Sequence, residues 1–527
     1  MAVTSSPSLA ATAVRGVQWT TAATVLTAVL QIGYTAVMAR LLDPAAFGLV
    51  AMTGVVLRFG SYFAEMGLGH ALVQRSRIDA DDVRATFTAS LGLGLAVAGL
   101  AWLGAPLAVL LLKNEAVVPL VRVQALGFVL VGLGVTATSL LRRNMRFEVI
   151  AKVEVAAYVL GYGGVGVSLG WLGLGVWSLV LASLAQQFFA AVLSYAVVRH
   201  SLRFTFVRAP YARLLGYGGR VSVVGFLEFV NGNLDTLLIG RLMGSGMLGV
   251  YNRAYMLLYL PMYFLTHSLA RVAFPAFSKI KDDLPQVRAL YLTSSTLVAT
   301  LILPLCAGVA VAAPELVQVL LGPRWAASVP ILRVLCIAIP LSMTTMFAGI
   351  VADARANLRR KVVLNLQFMT LLASLFWLLR GYGLGGIALA IGTGEVVRTF
   401  LYMRVTHQDL GIPYARILGL YRPGLLNAAA VGAALLAVAA VLRPWHCPAL
   451  LALALLMLTG AVVLGAVLLR WPTAELRPAL QTLLARLRGL GALPAWAHPA
   501  LGRYESYLQR SAEHTPAFEP LATSLTS

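Results

Sequence analysis

The chain is a succession of long apolar runs, each about the 20 residues that a helix needs to cross the hydrocarbon core of a bilayer. Fourteen such runs can be placed along the sequence. Their approximate limits are 16–39, 47–68, 86–112, 118–141, 153–172, 174–197, 215–240, 247–271, 289–312, 328–351, 362–380, 383–404, 424–442 and 448–470. Barrel strands would instead read as alternating segments of about ten residues. Because several runs nearly touch, the sequence predicts an all-α polytopic membrane protein with 12 to 14 transmembrane helices.

Charge and composition set the orientation of these helices. Hydrophobic residues make up 59% of the chain and charged residues 12%, with a net charge of +21. Lys and Arg concentrate in alternate loops, as in the cluster Arg142, Arg143, Arg146 and Lys152, which predicts cytoplasmic N- and C-termini. Topology and attraction to anionic lipid account for the positive charge, so no nucleic-acid partner is expected. The three cysteines lack paired spacing, which indicates neither a disulfide framework nor a metal site.

A sequence echo shows that the chain contains two related halves. The segment ARLLDPAAFGLV at Ala39–Val50 is echoed by GRLMGSGMLGVY at Gly240–Tyr251, an offset of 201 residues. In each copy an apolar run ends at an Arg, a short turn follows, and a Gly lies in the next run. Six runs separate the copies, an even number, so both have the same orientation and the repeat is parallel.

The repeat predicts the organisation of the chain. Residues 1–200 form an N-lobe of spans 1–6, residues 201–214 an inner linker, and residues 215–405 a C-lobe of spans 7–12. Residues 406–470 add two further spans, 13 and 14. Residues 471–527 are predicted to hold a cytoplasmic amphipathic helix at 475–490 and a disordered tail.

The blocks around the two echo copies, Ala39–Arg75 and Leu234–Ile280, resemble one family. They are similar to the polysaccharide, or oligosaccharidyl-lipid, flippases of the multidrug/oligosaccharidyl-lipid/polysaccharide exporter superfamily, in the branch with O-antigen and exopolysaccharide repeat-unit flippases. The resemblance implies two six-helix lobes forming a V around a central cavity, plus two C-terminal helices.

The resemblance also implies a function. A flippase of this kind would move a polyprenyl-diphosphate-linked oligosaccharide from the inner to the outer leaflet of the bacterial plasma membrane by alternating access, for extracellular polysaccharide or O-antigen assembly. It needs no cofactor, although a proton or sodium gradient would drive it. Expected partners are the lipid-linked oligosaccharide diphosphate, membrane lipids and polysaccharide polymerase or export machinery.

Carboxylates within the apolar runs are candidates for ion coupling. Charged groups in spans are costly and usually face a wet cavity or a partner. Glu228, Asn231 and Asp235 share one helical stripe of span 7, and Glu65 lies in span 2. A desolvated carboxylate can bind and release a proton. The alternative is that Glu228 and Asp235 pair with an Arg of another helix.

Four arginines are candidates for binding the diphosphate, because Arg forms bidentate charge-assisted bonds with phosphate oxygens. Asn231 and two tyrosines are candidates for contacting the sugars. The predicted substrate-binding residues are Arg58, Arg220, Arg253, Arg271, Asn231, Tyr62 and Tyr255. The alternatives are an Arg58–Glu65 ion pair, an Arg253 side chain that reaches the outer interface, and a tyrosine stripe that serves packing.

Two other functions compete with the flippase hypothesis. A multidrug or cation antiporter of the same superfamily would favour a cavity dominated by carboxylates, whereas the arginines here indicate an anionic substrate. A membrane-embedded polysaccharide polymerase or ligase would need a large outer loop with catalytic residues. The longest predicted outer loop, Pro314–Ala327, is short, and no catalytic motif lies in a loop.

Overall fold

The computed structural model describes residues 9–64, 72–73, 78–206, 223–280, 282–354, 358–445 and 447–470, together with the single residues 477 and 506. All the regular elements in these residues are helices. The predicted amphipathic helix at 475–490 and most of the predicted linker lie outside the described residues.

Eighteen α-helices, labelled in chain order, cover the described part of the chain. They are α1 Leu9–Leu41, α2 Pro44–Ala64, α3 Ala80–Gly104, α4 Leu107–Leu112, α5 Val117–Gln124, α6 Leu126–Arg143, α7 Phe147–Tyr158, α8 Val167–Trp171, α9 Val176–Val198, α10 Val223–Lys279, α11 Leu284–Val311, α12 Ala313–Leu320, α13 Ser328–Ala354, α14 Leu358–Leu379, α15 Gly383–Leu410, α16 Tyr414–Gly419, α17 Arg422–Leu442 and α18 Ala449–Arg470. A π-helix, Val159–Gly166, joins α7 to α8.

The helices agree with the predicted apolar runs. Ten helical segments in the described residues are long and apolar enough to cross a membrane, and one of them, Val362–Leu410, contains two predicted runs. The predicted outer loop Pro314–Ala327 lies between two candidate spans, and it contains most of α12 and the 3₁₀ turn Pro323–Trp325. Its apolar residues, such as the fully buried Trp325, pack rather than stay in water.

Helix α10 comprises two predicted spans. Its backbone leaves the helical region at Gly244, with φ of 84° and ψ of 178°. Across this break, the Tyr251 hydroxyl donates a hydrogen bond to the Asp235 carboxylate. In a straight helix those residues would lie about 24 Å apart at 1.5 Å per residue. The chain therefore turns back at Gly244, as the predicted spans 7 and 8 require.

The chain forms two compact units. The first contains Met1–Met256, Val317–Ile331 and Met369–Ile387. Within it, α3 and α6 pack backbone to backbone: a Cβ on Gly132 would lie 2.6 Å from the Ser90 carbonyl oxygen, and the Ser90 hydroxyl donates to the Gly132 carbonyl at 3.0 Å. Small residues thus let two spans approach closely, as is usual in membrane helix packing.

The second unit contains Leu257–Leu316, Leu332–Phe368 and Ala388–Ser527. Here α11 packs tightly on α17, because a Cβ on Gly424 would overlap the Ala299 backbone. At one end of α17, Arg443 bonds the Glu315 carboxylate, with Nε to Oε1 at 2.8 Å, and its Nη2 donates to the Val311 carbonyl at 2.8 Å. These contacts tie the C-terminal end of α17, which is predicted span 13, to the end of α11 and to Glu315 of α12.

Candidate functional site

The two echo arginines make equivalent contacts. Arg40 donates from Nη2 to the Val319 carbonyl at 2.6 Å and from Nη1 to the Leu320 carbonyl at 3.3 Å, at the C-terminus of α12. Arg241 donates from Nη1 to the carbonyls of Leu110 and, at 2.8 Å, Leu111, at the C-terminus of α4. A cation there neutralises the negative end of the helix dipole and satisfies carbonyls that lack intrahelical partners. Each copy therefore uses its Arg as a helix cap.

Two glycines of the echo bring the copies together. A Cβ on Gly48 would overlap the Ser245 carbonyl oxygen, and a Cβ on Gly249 would overlap the Pro44 carbonyl oxygen. Ser245 and Gly249 are the residues equivalent to Pro44 and Gly48 at the offset of 201. The two helix starts thus cross in a symmetric contact that permits only glycine at these positions.

Arg253 is the predicted substrate-binding residue whose surroundings the structure defines best. Its guanidinium lies 4.6 Å from the centroid of the Phe47 ring and donates from Nη2 to the Asn252 amide oxygen at 2.7 Å. Phe47 in turn packs on Trp325, which donates from Nε1 to the Ala39 carbonyl at 2.8 Å. The Arg253 Nε is buried and has no hydrogen-bond partner in the described residues. A positioned cation with an unused donor suits an anionic ligand.

Asp235 lies on the same helix, α10, as Arg253 but has different partners. Its carboxylate accepts hydrogen bonds from the Tyr251 hydroxyl and, at 2.7 Å, from the Thr236 backbone N–H. Within the described residues Asp235 forms no ion pair with an arginine, and the alternative pairing of Glu228 stays a prediction. Hydroxyl and amide donors hold the carboxylate because Tyr251 faces it across the turn at Gly244. Tyr255 packs next to Tyr251, with ring centroids 5.9 Å apart.

Tyr34 lies within electrostatic range of Arg253 and belongs to a cluster of three tyrosines. The Tyr34 ring meets Tyr162 edge-on with centroids 4.9 Å apart, and Tyr162 stacks on Tyr158 at 4.7 Å. The Tyr34 hydroxyl is buried without a hydrogen-bond partner in the described residues. Sequence reasoning missed Tyr158 and Tyr162, although their i, i+4 spacing in one span was visible. The π-helix that begins at Val159, a form frequent at functional sites, carries Tyr162.

The remaining predicted site residues are less completely placed. Arg58 lies on α2 with an exposed side chain, and Asn231 is half-buried on α10. Tyr62 lies on α2, and Glu228 and Arg271 lie on α10, but their side chains are outside the described part. Arg220 and Glu65 lie outside the described residues. The structure thus connects Asp235 to Tyr255 through Tyr251, and the predicted stripe of Glu228, Asn231 and Asp235 stays a prediction.

A polar group in the second unit was missed by sequence reasoning. Arg398 on α15 bonds Glu395 one turn away, with Nη1 to Oε1 at 3.1 Å, and its guanidinium lies 5.1 Å from the Phe368 ring centroid. The Ser342 hydroxyl lies 3.4 Å from the same Nη1. The signal for this pair was a Glu and an Arg at i, i+3 within a predicted span. Such a pair is mutually neutralised, which lowers the cost of its burial.

Each repeat ends in a histidine. His200 follows α9, is buried, and packs between Phe87 and Tyr195 with centroids 5.5 and 5.3 Å away. Burial lowers the pKa of His200, and its ring interaction with the Ser201 carbonyl opposes that shift. At the end of α15, the ring Nδ1 of His407 lies 2.8 Å from the Ile412 carbonyl and the ring stacks on Tyr414 at 4.4 Å. Both histidines anchor the segment that leaves the sixth span of a repeat.

The potential metal ligands of the described residues are dispersed. Within the described ranges, no group of three or more His, Cys, Asp or Glu side chains could hold a metal ion. Cys306 and Cys336 are buried thiols in α11 and α13.

Comparison with solved structures defines the class of protein. The structure of lipid II flippase MurJ in an inward closed conformation superposes with a TM-score of 0.64 at 12% identity, covering 85% of this chain and 97% of that chain. An inward-facing multidrug resistance MATE family transporter of the MOP superfamily gives 0.55 at 17% identity, covering 72% and 93%. At such identities the likeness concerns the fold, which is that of all-helical polytopic membrane transporters, as predicted.

Sequence comparison then gives the family. The family model described as polysaccharide biosynthesis protein matches residues 37–330. This is more than half of the chain, so the protein belongs to that family, and the predicted resemblance is confirmed. It is a membrane transporter and not an enzyme.

Two characterised relatives illustrate the similarity. The lipopolysaccharide biosynthesis protein WzxC of Escherichia coli (strain K12) is 26% identical over 421 residues, covering 79% of this chain and 85% of the relative. The succinoglycan biosynthesis transport protein ExoT of Rhizobium meliloti (strain 1021) is 30% identical over 334 residues, covering 62% and 66%. Both matches extend well beyond the echo segments.

Proposed function

We propose that this protein is a flippase that moves a polyprenyl-diphosphate-linked oligosaccharide from the inner to the outer leaflet of the bacterial plasma membrane. The family, and relatives named for lipopolysaccharide and succinoglycan biosynthesis, support a polysaccharide precursor as the substrate. The fold shared with MurJ and MATE transporters supports alternating access. A polysaccharide polymerase or export complex would take the product outside.

The observation that carries this proposal is the environment of Arg253. Phe47 and Asn252 fix the guanidinium, while its Nε keeps an unused donor in a buried position. A diphosphate must lose water when it enters a protein, and a pre-positioned guanidinium replaces part of its hydration with charge-assisted hydrogen bonds. This favours an anionic substrate over the cationic substrates of a multidrug antiporter.

Aromatic and hydroxyl groups near Arg253 suit the sugars next to the diphosphate. Tyr34, Tyr158 and Tyr162 offer ring faces, and the Tyr34 hydroxyl has no partner within the described structure. Aromatic rings have a large apolar surface with a polar edge, which suits the mixed surface of a sugar. The lipid tail would remain in the bilayer, because moving it through a polar site would expose apolar surface.

Asp235 is the described carboxylate best placed to couple transport to a proton or sodium gradient. It lies in a predicted span, where a charged carboxylate is costly, and the Tyr251 hydroxyl and Thr236 amide stabilise it. Binding of a proton or sodium ion would neutralise the carboxylate and weaken its hydrogen bond from the Tyr251 hydroxyl. Such an exchange gives the transporter two states that a gradient can bias.

Vesicles containing the purified protein and a fluorescent polyprenyl-diphosphate oligosaccharide would test the proposal. We expect leaflet transfer by the wild type that becomes faster when a proton or sodium gradient is applied. The same oligosaccharide without its diphosphate lipid should not cross. Export of small organic cations without any transfer of the lipid-linked sugar would overturn the proposal.

A further inference from the structure

Three helices among the first six predicted spans line a cavity that shares no lining residue with the Arg253 region. Its volume is about 410 Å³, and helices α3, α6 and α9 form its wall. Ser90 and Gly94 line it from α3, Phe128 and Thr138 from α6, and Ala190 from α9. The small residues Gly132, Gly134, Ala190 and Ala191 also line it, and the two glycines let α6 lie close to Ser90 of α3 and Ala191 of α9.

Two of the three hydroxyl groups in this wall donate to backbone carbonyls, and its other polar groups besides Arg142 are the Ser139 hydroxyl and the amides of Gln186 and Gln187. Ser90 donates to the Gly132 carbonyl at 3.0 Å, and Thr138 donates to the Gly134 carbonyl at 3.0 Å. Their oxygens therefore have little need of a polar ligand. With Phe128, Leu130, Val131 and Val135 on the same wall, the cavity presents mainly apolar surface. An apolar occupant fits it better than a sugar.

The length of the cavity matches one leaflet of a bilayer. Phe128 and Arg142 both line it and lie 14 residues apart on α6, a distance of about 21 Å at 1.5 Å per residue. That length reaches from an interface past the middle of a ~30 Å hydrocarbon core. One acyl chain of a lipid in that leaflet would have the length to fill it.

A single cation lies at one end of the cavity. Arg142 lines it there with an exposed side chain, at the end that the charge pattern predicts to face the cytoplasm. The neighbouring Arg143 is committed to the carbonyls of Leu72 and Val73, at 3.1 and 3.4 Å. Glu154 is close enough to affect Arg142 electrostatically, but the two form no ion pair in the described structure.

We propose that this cavity binds one anionic glycerophospholipid of the inner leaflet, with an acyl chain between α3, α6 and α9 and the phosphate group at Arg142. Basic pockets between transmembrane helices on the cytoplasmic side bind anionic head groups. The bound lipid fills space inside the bundle of spans 1–6, so it supports the structure of that bundle. This site does not depend on the proposed flippase activity.

Native mass spectrometry of the delipidated full-length protein tests this inference. The protein is given phosphatidylglycerol and phosphatidylcholine with identical acyl chains. We expect one retained lipid, with phosphatidylglycerol preferred. Arg142→Gln should reduce that preference about fivefold, the contribution of one Arg near an anionic lipid surface. Arg146→Gln, an exposed arginine of the same loop outside the cavity, should leave it unchanged.

A second pair of variants tests the position of the acyl chain. Ala190→Leu puts a larger side chain into the cavity and should abolish retention of both lipids. Ala196→Leu makes the same change on an exposed face of α9, away from the cavity, and should retain them. Melting temperatures establish that both variants are folded. Wild-type retention by Ala190→Leu, or equal lipid preference in the wild type and Arg142→Gln, would overturn the inference.

The substrate's own lipid must also be distinguished from the glycerophospholipid. A polyprenyl diphosphate added at equal concentration should not displace the retained phosphatidylglycerol, because the cavity holds a single chain of one-leaflet length. Displacement by the polyprenyl lipid, prevented by Ala190→Leu, would assign the cavity to the transported substrate and contradict the inference.

Discussion

At the turn of the first repeat copy, Arg40 caps α12 and Gly48 meets the Ser245 carbonyl. At the turn of the second copy, Arg241 caps α4 and Gly249 meets the Pro44 carbonyl. The two turns use the same chemistry because each must satisfy the carbonyls of a short helix and cross a second helix start at backbone distance. These contacts explain why the echo kept an Arg and a Gly.

One or two helical turns away, the copies differ. Tyr34 in the first copy is equivalent to Asp235 in the second, and Met52 is equivalent to Arg253. Met52 is fully buried, whereas Arg253 lies over Phe47 with an unused donor. The comparison shows a symmetric frame with unequal polar groups, which suits a substrate that has a charged diphosphate beside neutral sugars.

Replacing the crossing glycines should have the largest effect on the frame. Gly48→Val and Gly249→Val each force a side chain into a carbonyl oxygen, so each should cost about 3 kcal/mol or more of stability. Because the contacts are symmetric, the two losses in melting temperature should be similar. Gly54→Val is the matched control on α2, since a Cβ there meets no atom within 4 Å. A loss at only one glycine would break the symmetry.

Substitutions at positions 34 and 235 should change stability in opposite directions. Tyr34→Phe removes a buried hydroxyl that lacks a partner in the described structure, so it should raise stability by about 1 kcal/mol. Asp235→Asn weakens the charge-assisted bond to Tyr251 and should lower stability by about 2 kcal/mol. Thermal unfolding in detergent measures both. The same sign for the two changes would contradict the difference in hydrogen bonding between the two equivalent positions.

The arginine caps should contribute equally and modestly. Arg40→Gln and Arg241→Gln each remove a cation from a helix C-terminus, which should cost about 1 kcal/mol. The rate at which a thiol reagent labels a cysteine introduced near each turn should rise in both variants. Arg404→Gln, an exposed arginine on α15, provides the comparison. Unequal effects at residues 40 and 241 would contradict the equivalence of the two turns.

The smallest expected effect is a pH dependence of the stability of the segment that follows the first repeat, caused by His200. Because burial lowers the pKa of His200 below its unfolded value of about 6.5, protonation favours release of the ring. The contribution of His200 to stability is therefore present above about pH 6.5 and is lost as pH falls below it.

Hydrogen exchange of the segment Ser201–Phe206 should accelerate between pH 7.5 and 5.5, after correction for intrinsic rates. His200→Gln should remove this pH dependence, because the variant cannot gain the proton. Two other contacts hold this segment: the Phe204 ring stacks on the Phe87 ring, and the Thr205 backbone N–H donates a hydrogen bond to the Thr88 hydroxyl. Exchange that is independent of pH in the wild type would refute the role of His200.

Much of the fold could be predicted because a chain in lipid must hydrogen-bond its own backbone N–H and C=O groups, so each long apolar run has to form a helix. The break between spans 7 and 8 was correctly expected, since the echo placed a turn at Gly244. The short helix α12 was not, because its eight residues lie between spans where hydropathy carries no topological signal. Trp325 was also missed, as a single aromatic residue in a predicted loop indicates no partner.

The site was only partly predictable for a physical reason. Sequence spacing shows which residues share a helix face, so Arg253 and Asp235 stood out as polar groups in apolar runs. It does not show which helices face each other. The sequence therefore did not predict that Asp235 accepts a hydrogen bond from Tyr251 rather than pairing with an arginine. It also did not predict that the Tyr34 ring packs against Tyr162 of another span. The pair Glu395 and Arg398 lay outside the echo, where the comparison between copies gave no guidance.

Leaflet transfer of a lipid-linked oligosaccharide by Arg253→Gln is the most direct test of the asymmetric site. Arg122→Gln is the matched control, because Arg122 also lies 4.6 Å from an aromatic ring centroid, that of Trp102, and also has a buried Nε without a partner in the described residues. We predict at least a tenfold loss of transfer for Arg253→Gln, from a lost charge-assisted bond of about 1.5 to 3 kcal/mol, and wild-type transfer for Arg122→Gln. Wild-type transfer by folded Arg253→Gln would contradict the account.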